Sequence, residues 1–176
     1  MRSGRTIFLD RDGVINQVIF RDGKAAGPRH LSEFAFEPGI EAPIGRLRAA
    51  GCKLFVVSNQ PDIARGLLSA EQLRLMTDKI TAKLKIDAVR ICPHDDNDRC
   101  TCRKPSPGML LDLAREFDLT LAEACLVGDS WKDTMAARAA GCESILLDRP
   151  YNRDDPADKR VSNLSEAVDI ILGEIR

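Results

Sequence analysis

Aromatic side chains are scarce in this sequence: six Phe, one Tyr and one Trp amount to 5% of 176 residues. That is a poor supply for stacking nucleobases. Histidine is scarcer still, with only His30 and His94, which argues against a hydrolase that activates Ser or Cys through an imidazole. Neither charge sign is in excess, since 26 Lys and Arg meet 27 Asp and Glu for a net charge of −1. No broad field therefore favours nucleic acid or an anionic membrane. No apolar run reaches the length of a membrane span. The opening Met1-Arg2-Ser3-Gly4-Arg5 leads straight into an apolar strand, without the pattern of a secretory leader. A cytoplasmic protein is expected, with no membrane or nucleic-acid partner. What is present is ordinary for a globular chain: 44% hydrophobic and 30% charged residues, in a length that suits one domain over 1–176. Nothing suggests an extended partner helix, and a monomer is expected.

Apolar runs alternate with helical patterns. Strands are expected at Thr6–Leu9, Lys53–Val57, Ala88–Ile91, Cys125–Val127 and Ser144–Leu147. Helices are expected from Ser69 to Leu84 with Ser69 as N-cap, and from Ser106 to Phe117 with Ser106 as cap and Pro107 at the first position. Two more run from Lys132 to Ala140, ended by Gly141, and from Ser165 to Leu172. This rhythm predicts an α/β fold, a parallel sheet with helices on both faces. Two stretches break it and read as loops: Gln17 to Pro38, long enough to cover the strand ends, and Arg149 to Arg160.

The residues that carry chemistry fall at the strand ends, where open α/β sheets place their ligands. Asp10 and Asp12 follow the first strand in Leu9-Asp10-Arg11-Asp12-Gly13. Two such acids can attack, hold a metal or move a proton, although Asp-Gly is also a common turn. Ser58-Asn59-Gln60 follows the second strand, where a hydroxyl and backbone amides can hold phosphate oxygens. An ordinary turn would read the same. Cys92-Pro93-His94 and Cys100-Thr101-Cys102 offer three thiolates and an imidazole at the spacing of a tetrahedral zinc site. Using all four ligands, this zinc is a structural staple rather than a catalyst. Arg103 and Lys104 come directly after it and suit a phosphate, or simply the solvent. Gly128-Asp129-Ser130 and Asp133 follow the next strand. Asp129 suits Mg²⁺, a hard ion that prefers oxygen, and Asp129 or Ser130 would equally cap a helix. Cys52, Cys125 and Cys142 read as core residues.

Taken in order, Asp10-x-Asp12, Ser58, Lys104 and Asp129 resemble the four motifs of the haloacid dehalogenase superfamily, over nearly the whole chain. The zinc loop ending in Arg103-Lys104-Pro105, the run Ser58 to Gly66 and Ser106-Pro107-Gly108-Met109 are similar to its zinc-containing branch. That branch holds D-glycero-D-manno-heptose 1,7-bisphosphate 7-phosphatases and histidinol-phosphate phosphatases. The resemblance implies a three-layer Rossmann-like fold and a Mg²⁺-dependent phosphatase of small phosphorylated metabolites. It implies Asp10 as the nucleophile that forms an aspartyl-phosphate and Asp12 as general acid and base. Mg²⁺ would be held by Asp10, the backbone carbonyl of Asp12, and Asp129. Ser58, Asn59, Gln60 and Lys104 would bind phosphate, Arg103 would recognise substrate, and Asp133 would support Lys104 or a metal-bound water. A heptose bisphosphate is the first expectation, histidinol phosphate the second, and a polynucleotide 3′-phosphate the third. No long insertion follows Asp12 or Ser58, so a large cap domain is not expected. Val18-Ile19-Phe20-Arg21 and Ser130 depart from the usual heptose-enzyme pattern, and the span between His94 and Cys100 is short.

Overall fold

The computed structural model describes residues 4–174; residues 1–3, where the leader reading begins, lie outside them. Six parallel strands form one sheet in the order β5-β4-β1-β6-β7-β8. They are β1 (Thr6–Leu9), β4 (Lys53–Asn59), β5 (Ala88–Cys92), β6 (Cys125–Gly128), β7 (Glu143–Leu147) and β8 (Lys159–Val161). Helices α1 (Glu41–Ala49), α2 (Ala70–Leu84) and α5 (Leu164–Leu172) cover one face, and α3 (Gly108–Phe117) and α4 (Trp131–Ala140) the other.

The period of two along the strands explains the three layers. In β1, Ile7 and Leu9 join the core beneath α1, α2 and α5, while Phe8 joins the core beneath α3 and α4. Both sides are apolar, so the central strands read as unbroken hydrophobic runs. Cys52, Cys125 and Cys142 are buried in these two cores. No described helix is long and apolar enough to cross a membrane.

Four local expectations are corrected. Gln17 to Pro38 is not a bare loop: β2 (Ile19–Arg21) and β3 (Lys24–Ala26) pair as an antiparallel hairpin. Its turn is Asp22-Gly23, with both residues at positive φ, the conformation that suits a two-residue hairpin. The stretch from Arg149 to Arg160 ends in β8, a three-residue edge strand too short to show a period. Helix α1 was not foreseen, although Ile40, Ile44 and Leu47 recur at helical spacing and are buried. Finally, α3 starts at Gly108 with Pro107, not Ser106, at the N-cap. Ser106 instead donates its backbone N–H to Arg103 in the preceding turn.

Candidate active site

Chain order places the site. The chain crosses from β1 outward through β4 to β5, then returns to the other side of β1 with β6. The carboxyl ends of β4, β1 and β6 thus lie side by side at the point where the winding reverses, where such sheets bind ligands. Asp10 follows β1, its N–H bonded to the Val127 carbonyl at 2.9 Å. Asp129 follows β6, Asp133 lies in the first turn of α4, and Lys104 comes from the loop between β5 and α3. A cleft of ≈ 330 Å³ opens above them, lined among others by Asp10, Asp12, Arg103, Lys104, Asp129 and Tyr151. The hairpin side of the cleft is formed by Val18 and Ala25 to Pro28.

Lys104 is buried, and its Nζ donates to Asp10 Oδ1 at 2.8 Å, Asp133 Oδ1 at 2.6 Å and the Val57 carbonyl at 2.9 Å. Burial would lower its pKa, but Asp10 and Asp133 outweigh this and hold the ammonium charged. Asp133 also accepts from the N–H and hydroxyl of Ser130 at 3.1 and 2.8 Å, so it serves both Lys104 and the start of α4. Three buried carboxylates face this one ammonium. Burial, then repulsion from Asp133, pushes Asp10 up to about 6, with Lys104 pulling the other way. Burial and repulsion from Asp10 and Asp133 raise Asp129 well above the ordinary carboxylate range. Carboxylate oxygens of Asp10, Asp129 and Asp133 lie within 4.8 Å of one another. Their uncompensated charge and all-oxygen donor set fit a hard divalent cation.

Gly13 makes this approach of two loops feasible. It sits at φ +83°, and a Cβ there would lie 2.0 Å from Asp129 Oδ2. Asp12 is held away from the cluster as a hydrogen-bond acceptor. Arg11 donates to both its oxygens, Asn16 Nδ2 to Oδ1 at 2.8 Å, and Gln60 Nε2 to Oδ2 at 2.7 Å. Gln60 Nε2 also reaches Ser58 Oγ at 2.8 Å, and Ser58 is buried beneath the cleft. Asn59 faces the backbone of Lys104: its Nδ2 donates to the Lys104 carbonyl at 2.9 Å and its Oδ1 accepts from the Lys104 N–H at 3.0 Å. Arg103 lines the cleft but folds back on the metal loop, with Nε on Asp96 Oδ1 at 2.7 Å and Nη1 on the His94 carbonyl at 3.3 Å.

Cys92, His94, Cys100 and Cys102 converge beside the cleft. Cys92 Sγ is 3.5 Å from His94 Nδ1, 3.6 Å from Cys100 Sγ and 3.1 Å from Cys102 Sγ, and Cys102 Sγ is 3.3 Å from His94 Nδ1 and 3.5 Å from Cys100 Sγ. The edges of a tetrahedron of zinc–sulfur and zinc–nitrogen bonds are about 3.3–3.8 Å. The thiols are unpaired by disulfides, and the cluster can hold a metal ion.

Several residues of the site were not legible beforehand. Arg11 lies between the two acids of the motif yet is 1% exposed, in a position where a solvated charge would be the ordinary reading. Asn16 and Asn152 are also buried polar groups. Asn152 donates to the carbonyls of Asp129 and Leu147 at 2.7 and 2.8 Å. Tyr151, the single tyrosine, donates to Asp129. These last two sit in a polar segment without periodicity, and a lone Tyr-Asn pair gives no signal of its own.

The HAD-hydrolase-like family matches residues 101–169. A D-glycero-β-D-manno-heptose-1,7-bisphosphate 7-phosphatase of Bordetella bronchiseptica is 41% identical over 148 residues, which span 81% of this chain and 80% of that protein. A D-glycero-α-D-manno-heptose-1,7-bisphosphate 7-phosphatase of Mycobacterium tuberculosis is 36% identical over 152 residues, covering 80% and 78%. The crystal structure of the D,D-heptose 1,7-bisphosphate phosphatase from B. bronchiseptica, complexed with magnesium and phosphate, matches with a TM-score of 0.86 and 34% identity, covering 97% of this chain and 99% of that one.

Proposed function

The chain belongs to the haloacid dehalogenase-like hydrolases and is a phosphoric monoester hydrolase, and from that premise we propose that it removes the 7-phosphate of a D-glycero-D-manno-heptose 1,7-bisphosphate. The observation that carries the chemistry is the buried group of Asp10, Asp129, Asp133 and Lys104 on the cleft floor. The substrate is supported by the relatives, which are named for heptose bisphosphates of either anomer.

In this reading Asp10 attacks the phosphorus, the phosphorus–oxygen ester bond breaks, and Asp12 gives its proton to the leaving alkoxide. Asp12 then takes a proton from water. That water attacks the aspartyl-phosphate, releasing phosphate and restoring Asp10. In the structure Asp12 accepts hydrogen bonds from Arg11, Asn16 and Gln60, so in this reading it leaves Arg11 and enters the first step carrying a proton taken from solvent. Lys104 holds Asp10 in place and sets positive charge beside the phosphoryl oxygens. Asn59 fixes the backbone of Lys104. Ser58 and Gln60 support Asp12 from below, with Gln60 also at the cleft wall. Arg103, anchored to the metal loop, faces the rest of the substrate.

Asp10, Asp129 and the backbone carbonyl of Asp12 would hold Mg²⁺. When bound, it neutralises charge that develops on the transferring phosphoryl group. The Cys92-His94-Cys100-Cys102 cluster would hold Zn²⁺ as a structural ion that fixes the loop bearing Arg103 and Lys104. The six free thiols fit a reducing, cytoplasmic setting. We propose a monomer, in which both ligand clusters are formed within one chain.

The test is ³¹P NMR of a heptose 1,7-bisphosphate incubated with the protein and Mg²⁺. Loss of the 7-phosphate signal with the 1-phosphate retained is the expected result. Cleavage at the anomeric phosphate, or no turnover alongside rapid hydrolysis of histidinol phosphate, would refute the proposal.

A further inference from the structure

Asp10 and Asp133 are each held by several donors, but the carboxylate of Asp129 is not. Asp10 Oδ1 accepts from the Arg11 N–H at 2.7 Å and from Lys104, and Asp133 accepts from Lys104 and Ser130. Among the described residues, the one group that donates to the Asp129 carboxylate is the hydroxyl of Tyr151, on Oδ2. The orientation of this buried acid therefore depends on a phenol that lies 22 residues further along the chain.

The segment that carries the phenol is itself held from several sides. The Arg149 guanidinium donates to the Gly13 carbonyl from Nε at 3.2 Å and from Nη2 at 2.7 Å. Asn152 ties the same segment to the Asp129 and Leu147 carbonyls. Gly13 leaves room for the phenol, since a Cβ there would lie 2.7 Å from the Tyr151 hydroxyl. On its outer side the ring meets Phe20 edge-on, with centroids 6.0 Å apart and planes at 67°. Phe20 is 60% exposed and belongs to the β2–β3 hairpin beside the cleft. A large exposed aromatic on a three-residue strand has no packing role in either core. Its partner in the structure is Tyr151.

We propose that Tyr151 is a positioning residue that aims Asp129 at the divalent cation, and that Phe20 couples this aim to the hairpin. The inference rests on the reading of Asp10 and Asp129 as cation ligands. With Oδ2 engaged by the phenol, Oδ1 is left without a donor among the described residues and would be available to the cation. An outer hydrogen bond of this kind commonly changes metal affinity by about 10–100-fold.

Calorimetric titration of the metal-free protein with Mg²⁺ tests it, using the wild type, Tyr151→Phe, Phe20→Ala and the double variant. Circular dichroism confirms that each variant is folded. Tyr151→Phe keeps the ring against Phe20 and loses only the hydroxyl. It should weaken Mg²⁺ binding about tenfold, and its lost turnover should return when Mg²⁺ is raised in proportion. Phe20→Ala should weaken binding about threefold, the scale of one edge-to-face aromatic pair. The double variant should bind no more weakly than Tyr151→Phe alone, because Phe20 acts through the hydroxyl. Unchanged or tighter Mg²⁺ binding by Tyr151→Phe overturns the positioning role, and fully additive losses overturn the coupling to the hairpin. A wild type that binds no Mg²⁺ removes the cation reading itself and this inference with it, a result distinct from a wild type that binds while Tyr151→Phe binds equally well.

Discussion

Asp10 shows how one residue carries several constraints. In the proposed mechanism it must be ionised to attack, yet it is buried beside two other acids, and among the described residues Lys104 and a backbone N–H offset the charge. Replacing Asp10 by Asn should cut turnover by about 10⁴-fold or more while leaving the far-ultraviolet circular dichroism unchanged. Near-normal activity would refute the nucleophile assignment. The same burial sets a pH dependence. The Asp10 carboxyl titrates at about 6 in the folded protein against 3.8 ordinarily. Between these values the folded chain binds more protons than the unfolded one, so the metal-free protein loses stability as pH rises through that window. The penalty is fully present above about 6 and absent below about 4. A cation that relieves it should therefore raise the melting temperature more at pH 7.5 than at pH 5. An increment equal at both values would show that Mg²⁺ does not bind at these carboxylates. Gly13 makes a third point at this scale. Gly13→Ala combines a positive φ with a Cβ 2.0 Å from Asp129, and should abolish Mg²⁺ binding in calorimetry.

At the level of elements, the loop between β5 and α3 joins structure to chemistry. Three of the four metal ligands, His94, Cys100 and Cys102, lie in it, the fourth, Cys92, ends β5, and the Asn59 amide clamps Lys104 from β4. Cys100→Ser should lower the zinc content measured by mass spectrometry and destabilise the protein by about 4 kcal/mol or more, the scale of a lost structural metal. Full stability in the absence of zinc would rule out the staple. This loop was legible in the sequence because its residue types and spacing are rare together. The hairpin was missed, although Asp22-Gly23 between short runs is its ordinary signature. Three-residue strands show too little alternation to be read against a stretch rich in Gly and Pro. The Tyr151–Asn152 segment was illegible for a different reason. Its residues matter through contacts to Asp129, which only the folded chain brings near. The sequence placed Asn59 and Gln60 at the site, but the partners of their side chains, Lys104 and Asp12, stand 45 and 48 residues away and meet them only in the folded chain.

The whole molecule follows from the alternation of strands and helices. Buried apolar runs require cover on both faces, the helical crossovers between parallel strands supply it, and the reversal of winding at β1 and β6 brings Asp10 beside Asp129. The parallel sheet and its cover on both faces were readable from apolar periodicity; the meeting of Asp10 and Asp129 was implied by the resemblance of the motifs, and the reversal of winding was not read. The heptose bisphosphate expectation came from the resemblance of the motifs and not from the pattern of elements, because the cleft wall is built from short or irregular segments: the hairpin, the metal loop and the residues around Tyr151. The most direct test of the account is kcat/KM for Mg²⁺-dependent phosphate release from both anomers of D-glycero-D-manno-heptose 1,7-bisphosphate and from histidinol phosphate. The account predicts that at least one heptose anomer exceeds histidinol phosphate by roughly 100-fold, or about 2.7 kcal/mol of transition-state binding. Faster turnover of histidinol phosphate than of either anomer would contradict it.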